Sequence, residues 1–145
     1  MKLIDTTTYI DELRKLVEDG KEVCLTISGS SMSPFLIHLR DSIYFSKPSP
    51  DRPFKKGDMV FYQRTDGAYV MHRIYKIKGE DFYMIGDAQV DIEGPLKKEQ
   101  IFALITKVKR KGKIIKPGDF LWWFFEYVWL KLIPLRPYIV KLYSL

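Results

Sequence analysis

The sequence predicts a mainly β fold with a short helix at the N-terminus and an aromatic helical segment at the C-terminus. Two observations lead to this prediction. Short runs rich in β-branched and aromatic residues follow one another between residues 22 and 110, and turn signals separate them. The 145 residues are enough to bury a core in one domain. We therefore expect a compact, partly closed, barrel-like sheet in residues 1–118, with residues 119–145 as a helical tail.

One short helix is predicted near the N-terminus. Ile10, Leu13, Leu16 and Val17 recur at helical spacing, which places them on one face. Gly20 follows them and is predicted to end the helix. A single helix of this length does not provide a helix-turn-helix module for reading DNA.

Six strands are predicted, and short segments containing glycine separate most of them. Residues 46–56 contain three prolines and are expected to form an exposed loop. Short strands linked by hairpins are typical of a β-rich fold that is closed or partly closed. The predicted strands are 22–28, 42–45, 59–64, 69–78, 81–86 and 101–110.

Positive charge is concentrated in one segment. The chain carries 24 Lys and Arg against 18 Asp and Glu, a net charge of +6, and residues 97–116 hold eight bases and a single acid. Such a patch can bind nucleic acid, an anionic membrane surface or an acidic peptide, or it can be a solvated hairpin tip. Aromatic residues are not interleaved with the bases in 106–116, so we do not expect nucleic acid as a partner.

Cysteine and histidine are scarce in this chain. The one cysteine, Cys24, excludes an internal disulfide and a cysteine-based zinc cluster, and two histidines do not favour a histidine-rich metal site. We therefore expect neither a metal nor a cofactor. The first 20 residues contain several charged residues and no apolar run of signal-peptide length, so the expected compartment is the cytoplasm.

Aromatic and aliphatic residues dominate the C-terminal tail. All three tryptophans lie there, and residues 120–130 contain Glu126 as their one charged residue. The run is shorter than the roughly 20 apolar residues that a bilayer span needs, which disfavours a true span. Two interpretations stay open: a helix lying on a membrane, which the mixture of Trp, Tyr, Lys and Arg favours, or a helix packed on the β-domain or a partner chain. The first would add a peripheral membrane location to the cytoplasmic one.

The stretch most informative for chemistry is SGSSMSPFL, residues 28–36, directly after a predicted strand. Gly29 permits a tight turn there, and Pro34 fixes its exit. A serine on such a turn can present its hydroxyl to a groove, while nearby backbone N–H groups point at a developing oxyanion. An ordinary polar turn is the alternative. Because a serine hydroxyl is a poor nucleophile by itself, the chemistry also needs a base.

His72 is the predicted base. In the predicted strand, Val70, His72 and Ile74 share one face, so the imidazole lies among apolar neighbours and is expected to be neutral. A core histidine bonded to a backbone carbonyl is the structural alternative. His38, in a loop close to the serines, is the rival candidate for the base.

A third group is expected to orient the base. Three acids follow the strand that ends near residue 86, namely Asp87, Asp91 and Glu93. Any one of them could reach an imidazole, and a solvated turn is the alternative interpretation of the cluster.

Four motifs in this order resemble the signal peptidase I and LexA-type serine peptidase superfamily. They are SGSSMSP at 28–34, KGDMVF at 56–61, VMHRI at 70–74 and IGDAQ at 85–89, and the resemblance covers about residues 21–108. It implies that Ser31 is the nucleophile. It also implies that His72 is the base, as in the endoplasmic-reticulum and sporulation-type signal peptidases, where histidine replaces lysine.

The resemblance also carries expectations for the remaining site residues. Asp91 is the closest match to the family's acid, while Asp87 belongs to its Gly-Asp turn and either shares the role of the acid or is structural. The extra serine before Met32 departs from the common pattern, so the expected oxyanion donor is the backbone N–H of Ser31. Met32 and Pro34 are expected to contact the substrate.

Together these residues predict a serine peptidase, and the resemblance implies an extended leader- or signal-like peptide as its substrate. The superfamily tends to accept small side chains at the cleavage site. The alternative is a binding module that has this fold without the chemistry, and that holds a peptide or a membrane surface through residues 97–116 and 119–145.

Overall fold

A computed structural model of the chain describes residues 6–143, and one antiparallel sheet of eight strands forms its centre. The strands are β1 (Val23–Thr26), β2 (Ser42–Ser46), β3 (Met59–Gln63), β4 (Tyr69–Lys78), β5 (Asp81–Ile85), β6 (Glu93–Lys97), β7 (Ile101–Arg110) and β8 (Lys113–Ile115). Along the sheet the order is β1-β2-β7-β3-β4-β5-β6, and β8 pairs with β7. Because β1 and β6 lie at opposite ends and do not pair, the sheet is not closed into a barrel. The mainly β class is confirmed, and the expected barrel-like closure is absent from the described residues.

All six predicted strands are present, and their ends differ from the predicted ones by no more than two residues. The pattern missed β6 and β8. β6 contains Gly94 and Pro95, which are depleted in strands, and β8 is only three residues long. Proline is tolerated in β6 because β6 is an edge strand.

The N-terminal helix α1 (Thr6–Glu18) ends as the sequence predicts. Gly20 has φ of 87°, a left-handed conformation that glycine adopts without strain, and its N–H donates to the Val17 carbonyl at 2.9 Å. Ile10, Leu13 and Val17 are buried against the sheet. Leu16 was expected on the same face but is 40% exposed.

Strand β7 joins the two halves of the sheet. One of its edges pairs with β2, and the opposite edge pairs with β3 at its start and with β8 at its end. Apolar side chains cover both faces: the larger core cluster includes Phe61 and Val17, and the smaller includes Val60 and Ile74. Because Val60 pairs directly with His72, the His72 side chain lies on the face of the smaller cluster.

The C-terminal segment packs on the sheet rather than forming a separate unit. Phe125 stacks on Phe35 with ring centroids 4.6 Å apart, and Trp122 meets Phe35 edge-on at 6.4 Å. Within residues 6–143, no helix combines the length and the apolar character needed to cross a membrane. The segment consists of α2 (Phe120–Trp123), a π-helical turn (Phe124–Val128), α3 (Trp129–Lys131), a 3-10 turn (Ile133–Leu135) and α4 (Arg136–Tyr143).

Glu126, the one charged residue in the apolar run, faces the domain. It is 6% exposed, and its carboxylate lies 2.9 Å from Lys55 Nζ. Gly57 fits beneath it, because a Cβ at this position would lie 2.6 Å from Glu126 Cγ. The ion pair compensates the buried charge and fixes the helical segment on the loop before β3.

We predict that Trp129→Ala lowers the free energy of unfolding by about 3–5 kcal/mol, because a large side chain that is 2% exposed leaves a cavity. Trp123→Ala is the matched control in the same segment. Trp123 is 48% exposed, so its removal should change stability by no more than about 0.5 kcal/mol. Chemical denaturation measures both values, and equal losses would contradict the packing described here.

Candidate active site

Ser31 lies on a tight turn that buried side chains anchor on its C-terminal side. The Ser33 N–H donates to the Ser30 carbonyl at 3.1 Å, which closes the turn around Ser31 and Met32. Met32, Phe35 and Leu36 are at most 2% exposed, whereas Ser31 itself is only partly buried. The sequence thus fixes the turn through its apolar residues and leaves the serine at the surface of the core.

The turn at Gly86 packs directly against the backbone carbonyl of Ser31. The Ala88 N–H donates to the Ser31 carbonyl at 2.9 Å, and a Cβ on Gly86 would lie only 2.5 Å from that same oxygen. Glycine is therefore required at position 86 for the two chain segments to approach this closely. This contact brings the SGSSMSP and IGDAQ motifs together.

The Asp87 carboxylate is bound by Arg73. Arg73 Nε and Nη2 donate to its two oxygens, each at 3.0 Å, and both side chains are at most 1% exposed. Arg73 Nη1 also donates to the Gly57 carbonyl at 2.9 Å. Asp87 therefore takes the structural role that the sequence left open. No hydrogen bond within residues 6–143 links it to His72.

Two residues of the C-terminal segment complete a clamp on the same turn. Trp129 Nε1 donates to the Asp87 carbonyl at 2.7 Å, and Arg136 Nη1 donates to the carbonyls of Gly86 and Gln89 at 3.1 and 2.8 Å. Arg136 is only 2% exposed, and burial lowers its pKa. The segment 86–89 is thus held from two sides, and Ser31 rests on it.

His72 is hydrogen-bonded to a tyrosine rather than to an acid. Its Nδ1 lies 3.1 Å from the Tyr62 hydroxyl, which donates to Glu93 Oε1 at 3.1 Å. Arg64 binds Glu93 with two hydrogen bonds, of 2.9 and 2.6 Å. Of the three acids in the sequence, Glu93 is therefore the one that the structure connects to His72, and it does so through Tyr62.

This network selects one tautomer of the His72 imidazole. Hydrogen bonds from Arg64 lower the pKa of Glu93, so its carboxylate is ionised and can only accept. Burial raises the pKa of Tyr62, whose hydroxyl has a single hydrogen and gives it to Glu93. The Tyr62 oxygen must then accept from Nδ1–H, which leaves Nε2 with a free lone pair.

Nε2 is the nitrogen that a catalytic base needs. It has no hydrogen-bond partner within the described residues, and it is not among the fully enclosed polar atoms that lack one. Burial lowers the pKa of His72 to about 4. The ring is therefore unprotonated at neutral pH and can accept a proton there.

An apolar cavity of about 490 Å³ opens beside Ser31, between two strand edges. Residues 25–28 line one side, and within residues 6–143 β1 pairs with β2 and with no other strand. Residues 69–71 line the other side, and here β4 pairs with β3 alone, since β5 begins its pairing at Arg73. Each stretch is therefore paired along one edge, and its other edge has no neighbouring strand within the described residues. Helix α1 contributes Ile10 to its wall.

Ser31 and His72 approach this opening from different faces of the sheet. Ser31 lines the cavity, whereas the His72 ring lies beside Tyr62 on the face of the smaller core cluster. No hydrogen bond joins the Ser31 hydroxyl to the ring within the described residues. The two residues are nevertheless close to one cavity, because Val70 and Met71, which precede His72 in β4, line the same cavity as Ser31.

None of the other predicted site residues is hydrogen-bonded to the Ser31 hydroxyl or to the His72 ring within residues 6–143. Asp91 is exposed, and within residues 6–143 it has no hydrogen bond to His72. Met32 lines the Ser31 cavity, whereas Pro34 lines a different groove near the C-terminal helices. His38, the rival base, accepts the Gly29 N–H on Nδ1 at 2.7 Å, so it holds the turn and has that nitrogen occupied.

The sequence analysis missed three polar residues that build this region. Tyr62 and Arg64 hold Glu93, and the buried Asp41 accepts the backbone N–H groups of Ile37 and Lys111. The signal for Tyr62 was present: it shares a strand face with Val60, and a buried tyrosine hydroxyl needs a partner. Asp41 gave no signal, because its donors lie up to 70 residues away.

The fold and site define a mainly β protein in which a serine turn and a histidine strand border one apolar cavity. Comparison with models of protein families, with curated proteins and with solved structures finds no match for this chain. The resemblance to the signal peptidase and LexA-type superfamily therefore depends on its four motifs alone.

We predict that His72 makes folding sensitive to pH between 6.5 and about 4. The unfolded chain binds a proton near the ordinary histidine pKa of 6.5, but the native ring does so only near 4. Stability is therefore full above pH 6.5 and falls by about 3 kcal/mol as the pH drops to about 4.

His72→Phe keeps a ring and removes the titration, so its stability should fall less over this range. Denaturant melts of both proteins at several pH values measure the difference. Because acids such as Glu93 titrate in both proteins, they cancel in the comparison. Parallel curves for the two proteins would show that the ring is not held neutral by burial.

Proposed function

We propose that this protein is a serine peptidase that hydrolyses a peptide bond in an extended leader- or signal-like peptide. The observation that carries the proposal is the state of His72: its tautomer leaves Nε2 unprotonated and without a partner, next to residues that line the Ser31 cavity. The resemblance of the four motifs to a peptidase superfamily supports the same assignment.

The substrate binds as an extended strand between β1 and the first half of β4. Both stretches have unpaired backbone groups towards the cavity, which a peptide can satisfy by adding as a strand. Side chains of the peptide then enter an apolar space of about 490 Å³. That volume accommodates larger side chains than the small ones that the superfamily resemblance implies.

In the first half of the reaction, the Ser31 oxygen attacks the carbonyl carbon of the substrate while His72 Nε2 takes the hydroxyl proton. The tetrahedral intermediate collapses as the carbon–nitrogen bond breaks, and the imidazolium returns the proton to the leaving amine. The product is an acyl-enzyme. No hydrogen bond joins Ser31 to His72 in the described part of the chain, so this transfer requires the bound peptide to bring the Ser31 hydroxyl and His72 Nε2 within hydrogen-bond distance, and we infer that it does. Catalytic hydrogen bonds that are long or poorly aligned in the free enzyme tighten when substrate binds.

The backbone N–H of Ser31 donates a hydrogen bond to the negatively charged oxygen of the tetrahedral intermediate. Within residues 6–143 this N–H has no hydrogen-bond partner, and the Ala88 contact fixes the carbonyl of the same residue. A donor held in advance stabilises the oxyanion without reorganisation. In the second half of the reaction, water attacks the acyl carbon while His72 takes its proton. The ester bond to the Ser31 oxygen then breaks, the imidazolium returns the proton to that oxygen, and the peptide leaves with a new carboxylate.

Tyr62 and Glu93 are positioning residues for His72. Tyr62 holds the Nδ1–H tautomer, and the charge of Glu93 favours the imidazolium that forms during attack. Arg64 reduces that effect by pairing with Glu93. The His72 imidazole is therefore a weaker base than one paired directly with a carboxylate. It also stays unprotonated to a lower pH than such an imidazole would.

We expect a fluorophosphonate probe, which phosphonylates activated serines, to label Ser31 in the wild-type protein. Labelling should be lost in Ser31→Ala and reduced at least 100-fold in His72→Ala, because the hydroxyl then has no base. Ser30→Ala is the matched control on the same turn and should label normally. Mass spectrometry locates the modified residue. Equal labelling of the wild type and Ser31→Ala would exclude Ser31 as the nucleophile and favour the binding-module alternative.

We expect Tyr62→Phe to slow labelling by about 10-fold or more at pH 7, since His72 then loses the group that fixes its tautomer. Tyr75→Phe, on the same strand as His72, should label at the wild-type rate. The ring ¹⁵N chemical shifts give a second readout: Nδ1 is the protonated nitrogen in the wild type and no longer exclusively so in Tyr62→Phe. A wild-type ring protonated on Nε2 would contradict the network.

A further inference from the structure

A second apolar groove, of about 440 Å³, lies between the serine loop, the β7–β8 turn and the C-terminal helices. Phe124, Phe125, Ile139 and Val140 contribute much of its apolar wall, and Pro34 belongs to its other side. It lies apart from the Ser31 cavity, since the two have no lining residue in common. The mechanism above makes no use of it.

The rim of this groove is basic. Arg40, Arg110 and Lys111 line it, and no Asp or Glu is among its lining residues. Three acids are adjacent in sequence to lining residues, and each has a partner. Asp41 is paired with Arg40, Glu126 is paired with Lys55, and the Asp119 carboxylate accepts the Lys116 backbone N–H at 2.9 Å. The exposed Lys113 and Lys116 follow in the same hairpin. The structure thus joins the basic segment and the aromatic tail, which are separate features of the sequence, around one groove.

Several large apolar side chains of the C-terminal helices are open to solvent, and one of them, Phe120, lines the groove. Phe120 and Tyr138 are each 69% exposed, and Leu142 is 71% exposed. Trp123 and Tyr127 are also exposed. Large exposed apolar patches on a monomer mark sites of interaction with a protein or a membrane. Trp and Tyr mixed with Lys are typical of the membrane–water interface.

We propose that this groove and its surround bind the surface of an anionic phospholipid bilayer, with an acyl chain in the groove and the phosphate headgroups at the basic rim. Apolar insertion and a basic patch are the two signals that stable peripheral attachment needs. A second copy of the chain is disfavoured as occupant, because it would bring another basic rim and a net charge of +6 against this one. The proposal does not depend on the peptidase activity.

The test uses the full chain and two kinds of vesicle, one of phosphatidylglycerol and one of phosphatidylcholine. We expect co-sedimentation and a blue shift of tryptophan emission with phosphatidylglycerol, weakening as salt is raised. The double variant Lys111→Gln, Lys113→Gln, which removes the lysine of the rim and the exposed lysine two residues on, should bind about 25-fold more weakly, at roughly fivefold for each lysine. Lys47→Gln with Lys78→Gln removes the same charge elsewhere and should bind less than twofold more weakly.

A variant in the groove wall tests the insertion of an acyl chain separately from the attraction of the lysines to the phosphates. Val140→Asp places a carboxylate in the groove wall and should weaken binding at least 10-fold, while near-UV circular dichroism checks that the fold is kept. The proposal is overturned by equal binding to both kinds of vesicle, by equal losses in the two lysine pairs, or by unchanged binding of a folded Val140→Asp. Self-association without vesicles that Val140→Asp abolishes would also overturn it in favour of a second copy.

Discussion

The buried ion pair between Arg73 and Asp87 is the constraint on which the rest of the site depends. Two charges removed from water are costly unless their hydrogen bonds are satisfied, and here the Gly57 carbonyl accepts a third hydrogen bond from the Arg73 guanidinium. The pair ties β4 to the turn after β5, and that turn bears on the Ser31 carbonyl. Loss of either partner would leave an uncompensated charge in the core, so the geometry around Ser31 and the stability of the domain are inseparable.

The same ion pair determines the face of the sheet on which the His72 ring lies, and so its burial. Successive residues of a strand point to opposite faces of the sheet. Because the Arg73 side chain lies on the face of the larger core cluster, the His72 side chain lies on the opposite face, beside Tyr62. There the ring is buried among apolar neighbours, and burial holds its pKa near 4. The imidazole is a weak base that is never blocked by its own proton at neutral pH. Its reactive nitrogen depends on a hydrogen-bond chain, not on a directly bound carboxylate.

How much the sequence could predict follows from the range of each interaction. The six strands were predictable because alternation and turn residues are local, whereas β6 was hidden by Gly94 and Pro95, which an edge strand tolerates. His72 could be singled out by its apolar neighbours. Its partner could not, since Tyr62 and Glu93 are 31 residues apart and meet only through the sheet. Asp87 and Asp91 look alike in sequence, and only the buried Arg73 distinguishes them.

The C-terminal segment was ambiguous because it has two apolar sides with different surroundings. A helix that is apolar all round is normally enclosed, but here Trp129 and Phe125 enter the core while Trp123 and Tyr127 stay open to solvent. Trp129 belongs to both environments: its ring lines the second groove, and its Nε1–H holds the Asp87 carbonyl. An occupant of that groove therefore touches a side chain that supports the turn beneath Ser31. The second groove and the turn beneath Ser31 therefore share one side chain, the indole of Trp129.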